Sequence, residues 1–188
     1  MVTGSVVMVG SLLMTSVLPG RPFEAEYERR VSRAGGEEIE RGTIAVDGQG
    51  RARTAVEMPG GQAIAAVWDP IKKAAWIVDS SSNRLLMDVP WPEESSTGAT
   101  TSIVPAPTTV VPSTSQSLGT NSIEGLECDG TRTTIEAPGG RQTVERWISR
   151  DLGHVLLEVR SNDAERITFR MLSIRRGEPA PDLFQPTH

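Results

Sequence analysis

Turn-forming residues punctuate the first half of this sequence at short intervals, and that spacing leaves room for strands but not for helices. The punctuation falls at Gly35-Gly36, Asp47-Gly48-Gln49-Gly50, Pro59-Gly60-Gly61, Asp69-Pro70 and Ser80-Ser81-Ser82-Asn83. Between these turns lie β-compatible runs: Ile39 to Val46, Arg51 to Met58, Gln62 to Trp68, Ala74 to Val78 and Arg84 to Val89. Ahead of them, Phe23, Ala25, Tyr27 and Val31 share one face of a strand, while Glu24, Glu26, Glu28 and Arg30 share the other. Short strands joined by tight turns predict an antiparallel meander.

The second half repeats the pattern. Candidate strands run from Thr131 to Ala137, Gln142 to Ser149, His154 to Ser161 and Arg166 to Ile174. In the last of them Ile167, Phe169 and Met171 alternate with Thr168 and Arg170, as in a sheet wet on one side. Helix signals are few. Beyond the N-terminal apolar stretch, only Asp182-Leu183-Phe184 after Pro181 suggests a single turn. The predicted class is therefore mainly β: an antiparallel, curved sheet with little helix.

The 188 residues suit one domain. Val6 to Leu18 carries no charge, is too short to span ~30 Å of hydrocarbon as a helix, and has the length of the apolar part of a secretory signal. Residues 1–20 are accordingly expected to be a signal or an apolar N-terminal segment; the competing reading is a buried strand or helix of the mature fold. Residues 93–117 are rich in Ser, Thr and Pro and hold no aromatic residue, so they are expected to form a flexible loop within a single β-rich domain at 21–188. The N-terminal segment and this loop are the available covers for an apolar sheet face.

Charge and chemistry narrow the function. The net charge is −5 and the 19 basic residues are scattered among 24 acidic ones, which argues against nucleic-acid binding. The single cysteine, Cys128, reads as a small buried hydrophobe, and no Cys/His spacing suggests a metal. Of the two histidines, His188 is terminal and His154 follows Gly153 at a strand start, where a surface turn residue is the plain expectation. There is no nucleophile elbow, phosphate loop or dinucleotide fingerprint. Glu24, Glu26 and Glu28 read as a solvated strand face rather than a catalytic carboxylate pair. No catalytic residue, metal or cofactor is assigned, and binding is expected rather than catalysis.

A phrase recurs between the halves: RTAVEMPGGQ from Arg53 and RTTIEAPGGRQ from Arg132, each preceded by Asp-Gly and followed by a tryptophan, Trp68 or Trp147. Both read as strand, Pro-Gly-Gly turn, strand. Either the halves supply equivalent hairpins to one sheet, or few turn chemistries work.

The inward-facing set is taken as Phe23, Tyr27, Val31, Val56, Trp76, Trp147, Leu157 and Phe169. These either line a concavity suited to a lipid or small molecule or pack as an ordinary core.

The ordered series FEAEYERRVSRAGGEEIERGTIAVDGQGRARTAVEMPGG, VWDPIKKAAWIVDSSSNRLL, LGTNSIEGLECDGTRTT, VERWISRDLGHVLLEVRS and ITFRMLSIRRGEPAPDLFQ resembles the LolA/LolB-like superfamily of envelope proteins. It covers roughly Arg21 to Phe184 apart from the loop, and closes on Pro181-Asp182-Leu183-Phe184. The resemblance implies a half-barrel whose concave apolar face accepts a lipid, an acyl chain or a hydrophobic segment of a partner protein. It also implies a periplasmic or secreted location, with membrane association left open but no spanning helix. Related domains act as envelope-stress sensors that bind a regulator, which gives a second role to set beside the first.

Overall fold

The computed structural model describes residues 21–58, 60–91, 112–137 and 140–187. Among these residues eleven strands form one sheet: β1 (Phe23–Arg33), β2 (Gly36–Val46), β3 (Ala52–Glu57), β4 (Ala63–Asp69), β5 (Ala74–Asp79), β6 (Leu85–Val89), β7 (Ser113–Ile123), β8 (Leu126–Ala137), β9 (Gly140–Ser149), β10 (Val155–Ser161) and β11 (Glu165–Arg176). Their order across the sheet is β6-β5-β4-β3-β2-β1-β11-β10-β9-β8-β7. The chain thus meanders outward from β1 to one edge, resumes at the other edge, and meanders back until β11 lies antiparallel beside β1. The sheet is curved and stays open, with β6 and β7 as its edges.

Turn chemistry explains the register. At the β7–β8 turn, Glu124 and Gly125 both have positive φ, 50° and 75°, the type I′ geometry that matches strand twist. Asp69 Oδ1 accepts the amides of Ile71 and Lys72, and Asp79 Oδ1 accepts those of Ser81 and Ser82, so an aspartate nucleates the turn after β4 and again after β5.

One expectation needs correction. Ser113 to Ser117, assigned above to the flexible loop, belong to β7 and pair with β8 from Ile135 to Thr131. Their composition suited a loop, but Ser and Thr tolerate an exposed edge strand whose ladder bonds a neighbour supplies, and the Ser115 and Thr133 hydroxyls also bond at 3.2 Å. Residues 93–111 of that loop and residues 1–20 lie outside the described residues.

Directly opposed residues of an antiparallel sheet point to the same side, so the register sorts side chains into two faces. The first face carries Phe23, Ala25, Tyr27 and Val31 of β1, Ile44 and Val46 of β2, and Phe169 and Met171 of β11, all buried. Leu156, Leu152, Cys128, Leu126 and Ile123 extend this core toward the β7–β8 turn. The second face carries Glu24, Glu26 and Glu28 of β1. Further out it holds a plot of small residues: Ala45, Ala55, Ala65, Val67 and Val78.

That plot is where the C-terminal segment lands. After β11 the Gly177 amide donates to the Pro22 carbonyl, and Glu178 accepts the Gly48 amide. A single 3₁₀ turn, Pro181–Phe184, then places Phe184 on the small residues with Arg51 over its ring at 4.9 Å. Thr187 finally bridges to Arg84 beside β6. Small side chains below make room for one large one above; burying the phenyl group contributes about 1.5–3 kcal/mol.

Candidate functional site

Two adjoining clefts open on the second face over β1, β2 and β3. The larger, about 820 Å³, is bordered by Glu24, Glu26, Thr43, Ala45 and Arg53, with Ser173, Ile174, Leu183 and Glu124 around it. The smaller, about 600 Å³, continues from the shared Glu26 and Thr43 to Glu28, Arg41, Ala55, Glu57 and Leu172. A bulge in β11 helps shape the wall: Glu24 and Glu26 face Arg175 and Leu172, so two β11 residues, Ser173 and Ile174, stand opposite Ala25 alone. Ser173 takes a positive φ of 48° there. Leu183, from the C-terminal 3₁₀ turn, closes another side.

The lining mixes apolar walls with a charged floor. Glu24 is held by Arg175, and Glu124 by Arg170 at 2.8 Å. Glu28 accepts from Arg30 and Arg41, and these hydrogen bonds, the one from Arg30 first, hold its pKa below the usual carboxylate range. Arg53 differs. It is buried, its Nη2 donates to the carbonyl and hydroxyl oxygens of Ser80 at 3.1 Å each, and its Nε finds no acceptor. Burial pulls its pKa down from the usual guanidinium value.

The eight residues expected to face inward do not share a face. Phe23, Tyr27, Val31, Val56 and Phe169 lie on the first, as the β1–β2, β2–β3 and β1–β11 registers require. Trp76 aligns through Val67, Arg53 and Ala45 with Glu24, on the second face. Trp147 and Leu157 pair with each other across β9 and β10 and pack, partly buried, against the core of the first face. The five on the first face are closely packed: Tyr27 and Phe169 have ring centroids 5.5 Å apart, and the Tyr27 hydroxyl donates to Glu40. Tyr27 and Val56 border the smaller cleft. Trp76 sits beside the plot of small residues under Lys72, and Leu157 is paired with Trp147.

The cleft residues Arg53, Thr43, Leu183 and the bulged pair were not singled out from sequence. For Arg53 a signal existed: a charge within Ala52-Arg53-Thr54-Ala55-Val56, a run apolar enough to be covered on both faces. The bulge has no comparable signature.

Other reactive groups stand apart from the clefts. Cys128 is fully buried, its thiol directed at the Leu126 carbonyl, and burial pushes its pKa up. His154, expected at a surface turn, instead packs on Phe23 with ring centroids 5.3 Å apart; burial lowers its pKa to about 4. Among the described residues no cluster suits a metal ion, and no helix is long and apolar enough to cross a membrane.

No protein-family model matches the chain, and no curated protein matches it significantly. Solved structures do. MucB of Pseudomonas aeruginosa, in its complex with MucA, is similar at a TM-score of 0.52 and 16% identity over 95% of this chain and 59% of that one. This chain therefore spans under two thirds of MucB. An uncharacterized conserved protein from Thermus thermophilus gives 0.50 at 11% identity, over 94% of this chain and 90% of that one. A LolA superfamily protein from Nitrosomonas europaea gives 0.43 at 12%, over 94% and 97%. At these identities the likeness is one of fold alone, shared with MucB and the Thermus thermophilus protein.

Proposed function

We propose that this chain is an exported, non-enzymatic module of the cell envelope that binds a lipid or an acylated polypeptide in the paired cleft across β1, β2 and β3. The observation that carries the reading is the cleft itself. Two spaces of about 820 and 600 Å³ share Glu26 and Thr43, each within the usual range for a ligand pocket. Apolar walls from Leu172, Ile174 and Leu183 suit a chain, and the charged floor suits a head group. The hydroxyls nearby, Thr43, Ser80 and Ser173, have no histidine among the lining residues to activate them, which favours binding over turnover.

A second reading, a sensor that engages a polypeptide regulator, draws support from the likeness to MucB, a protein found in complex with MucA. The likeness of fold also supports a periplasmic or secreted setting for either role.

Thr43 tests the choice, because it is exposed and borders both clefts. A dansyl-labelled fatty acid should bind saturably at one per chain. Thr43→Trp should weaken it at least about tenfold, the scale of about 1.4 kcal/mol, with the unfolding midpoint unchanged. Absence of lipid binding together with stoichiometric capture of one envelope polypeptide would select the sensor. Absence of both would overturn the two readings together.

A further inference from the structure

Arg53 is 7% exposed, yet no carboxylate among the described residues pairs with it. Its Nη2 is satisfied by two oxygens of Ser80, while its Nε is buried and without an acceptor. Leaving a charged donor buried and unpaired is costly, and such an atom calls for an explanation. Its register neighbours are Ala45 and Val67, neither of which offers an acceptor from its side chain. The side chain borders the larger cleft.

We infer that Arg53 is the seat for an anionic oxygen group, a carboxylate or phosphate, at the head of a chain lodged in the larger cleft. Guanidinium presents donors in a fork that carboxylate and phosphate oxygens match, so an incoming anion gives Nε the acceptor it lacks. Carboxylates also border the cleft, but two are already neutralised: Glu24 by Arg175 and Glu124 by Arg170. Glu26 lies exposed, where water screens it. Ile174 and Leu183 supply apolar wall beside the seat for the chain that follows. The chain-bearing half of this inference rests on the lipid reading above; the anion seat stands without it.

The test follows the Arg53 Nε–H resonance by NMR while octanoate, octanol and inorganic phosphate are titrated separately into the native protein. Octanoate should shift the resonance and bind about tenfold or more tightly than octanol, the scale of a charge-assisted hydrogen bond. Phosphate should shift the same resonance more weakly. Arg53→Gln should make octanoate and octanol equal, and Arg53→Lys should recover part of the difference. Octanoate and octanol binding equally to the native protein would overturn the seat and leave the lipid reading standing. Phosphate shifting Arg53 while neither chain binds would overturn the lipid reading and keep the seat. No shift from any of the three overturns the seat outright, whatever the variants do.

Discussion

The indole of Trp147 lies over Gly130, its partner across β8 and β9, so closely that a Cβ built on Gly130 would stand 2.6 Å from Cζ3 of the ring. Tyr27 covers Gly42 in the same way, with Cε1 at 2.7 Å, but there the Ala55 carbonyl oxygen is closer still, at 2.0 Å. An aromatic ring can tilt aside; a ladder carbonyl cannot without breaking its strand. Gly130→Ala is therefore expected to cost about 1–3 kcal/mol, the usual range for overpacking, and Gly42→Ala more. Gly35→Ala, with no atom within 4 Å, should stay within about 0.5 kcal/mol of the parent. Urea unfolding midpoints rank the three. A Gly42 variant as stable as the Gly35 variant would contradict the packing described.

The same tryptophan shows what could and could not be read from sequence. Alternation and turn residues were enough for the strands of both meanders except β7, because each of the others carries its own period and each turn its own chemistry. Which face a strand presents is a different matter. In the echoed hairpins, Glu57 pairs with Ala63 around a five-residue connection, whereas Ala137 pairs with Gly140 around two. A change of odd length reverses every side chain that follows. Trp68 accordingly lies opposite Ala52, on the face away from Arg53, and Trp147 opposite Gly130, on the face that carries Arg132, although both sit fifteen residues after the arginine that opens the phrase. Trp76 was grouped with the first-face residues although it lies on the second, and the cleft was missed with it. It forms where β1, β11 and the C-terminal turn meet, a contact between residues such as Glu24 and Leu183 that no local pattern encodes.

Phe184 anchors the C-terminal segment by filling the plot of small residues, and it is fully buried. Phe184→Ala should cost about 3–5 kcal/mol, as a core phenylalanine does. The loss should also open the β3 and β4 amides to hydrogen exchange before those of β1 and β11, since the turn contacts β3 and β4. Uniform deprotection across the sheet would show that the segment is not a local cover.

Asn83 ties the far end of that segment down. Its Nδ2 donates to the carbonyls of Asp182 at 2.8 Å and Gln185 at 2.7 Å, from a residue already at φ 56°. Alanine removes both bonds and is less at ease at positive φ than asparagine. Asn83→Ala should cost about 1–3 kcal/mol by the two lost bonds. It should couple to Phe184→Ala in a double-mutant cycle, because both hold the same turn. Strict additivity would mean that the two contacts are independent.

His154 gives the fold a dependence on pH that can be separated from that of its carboxylates. Burial, with the ring against Phe23, lowers its pKa from 6.5 to about 4. The unfolded chain therefore takes up a proton at this site near pH 6.5, while the folded one resists until about pH 4. The folded state binds fewer protons in that window, so stability is complete above pH 6.5 and declines as pH falls. The loss reaches up to about 3 kcal/mol by about pH 4. Carboxylates contribute lower down. Asp79 is held far below its usual pKa by the Ser81 hydroxyl first and by Ser82, so it loses its share only at still more acid pH. Urea midpoints at pH 7, 6 and 5 should fall for the parent and stay level for His154→Phe, whose ring can occupy the same apolar contact. Parallel slopes for the two proteins would assign the acid limb to another group.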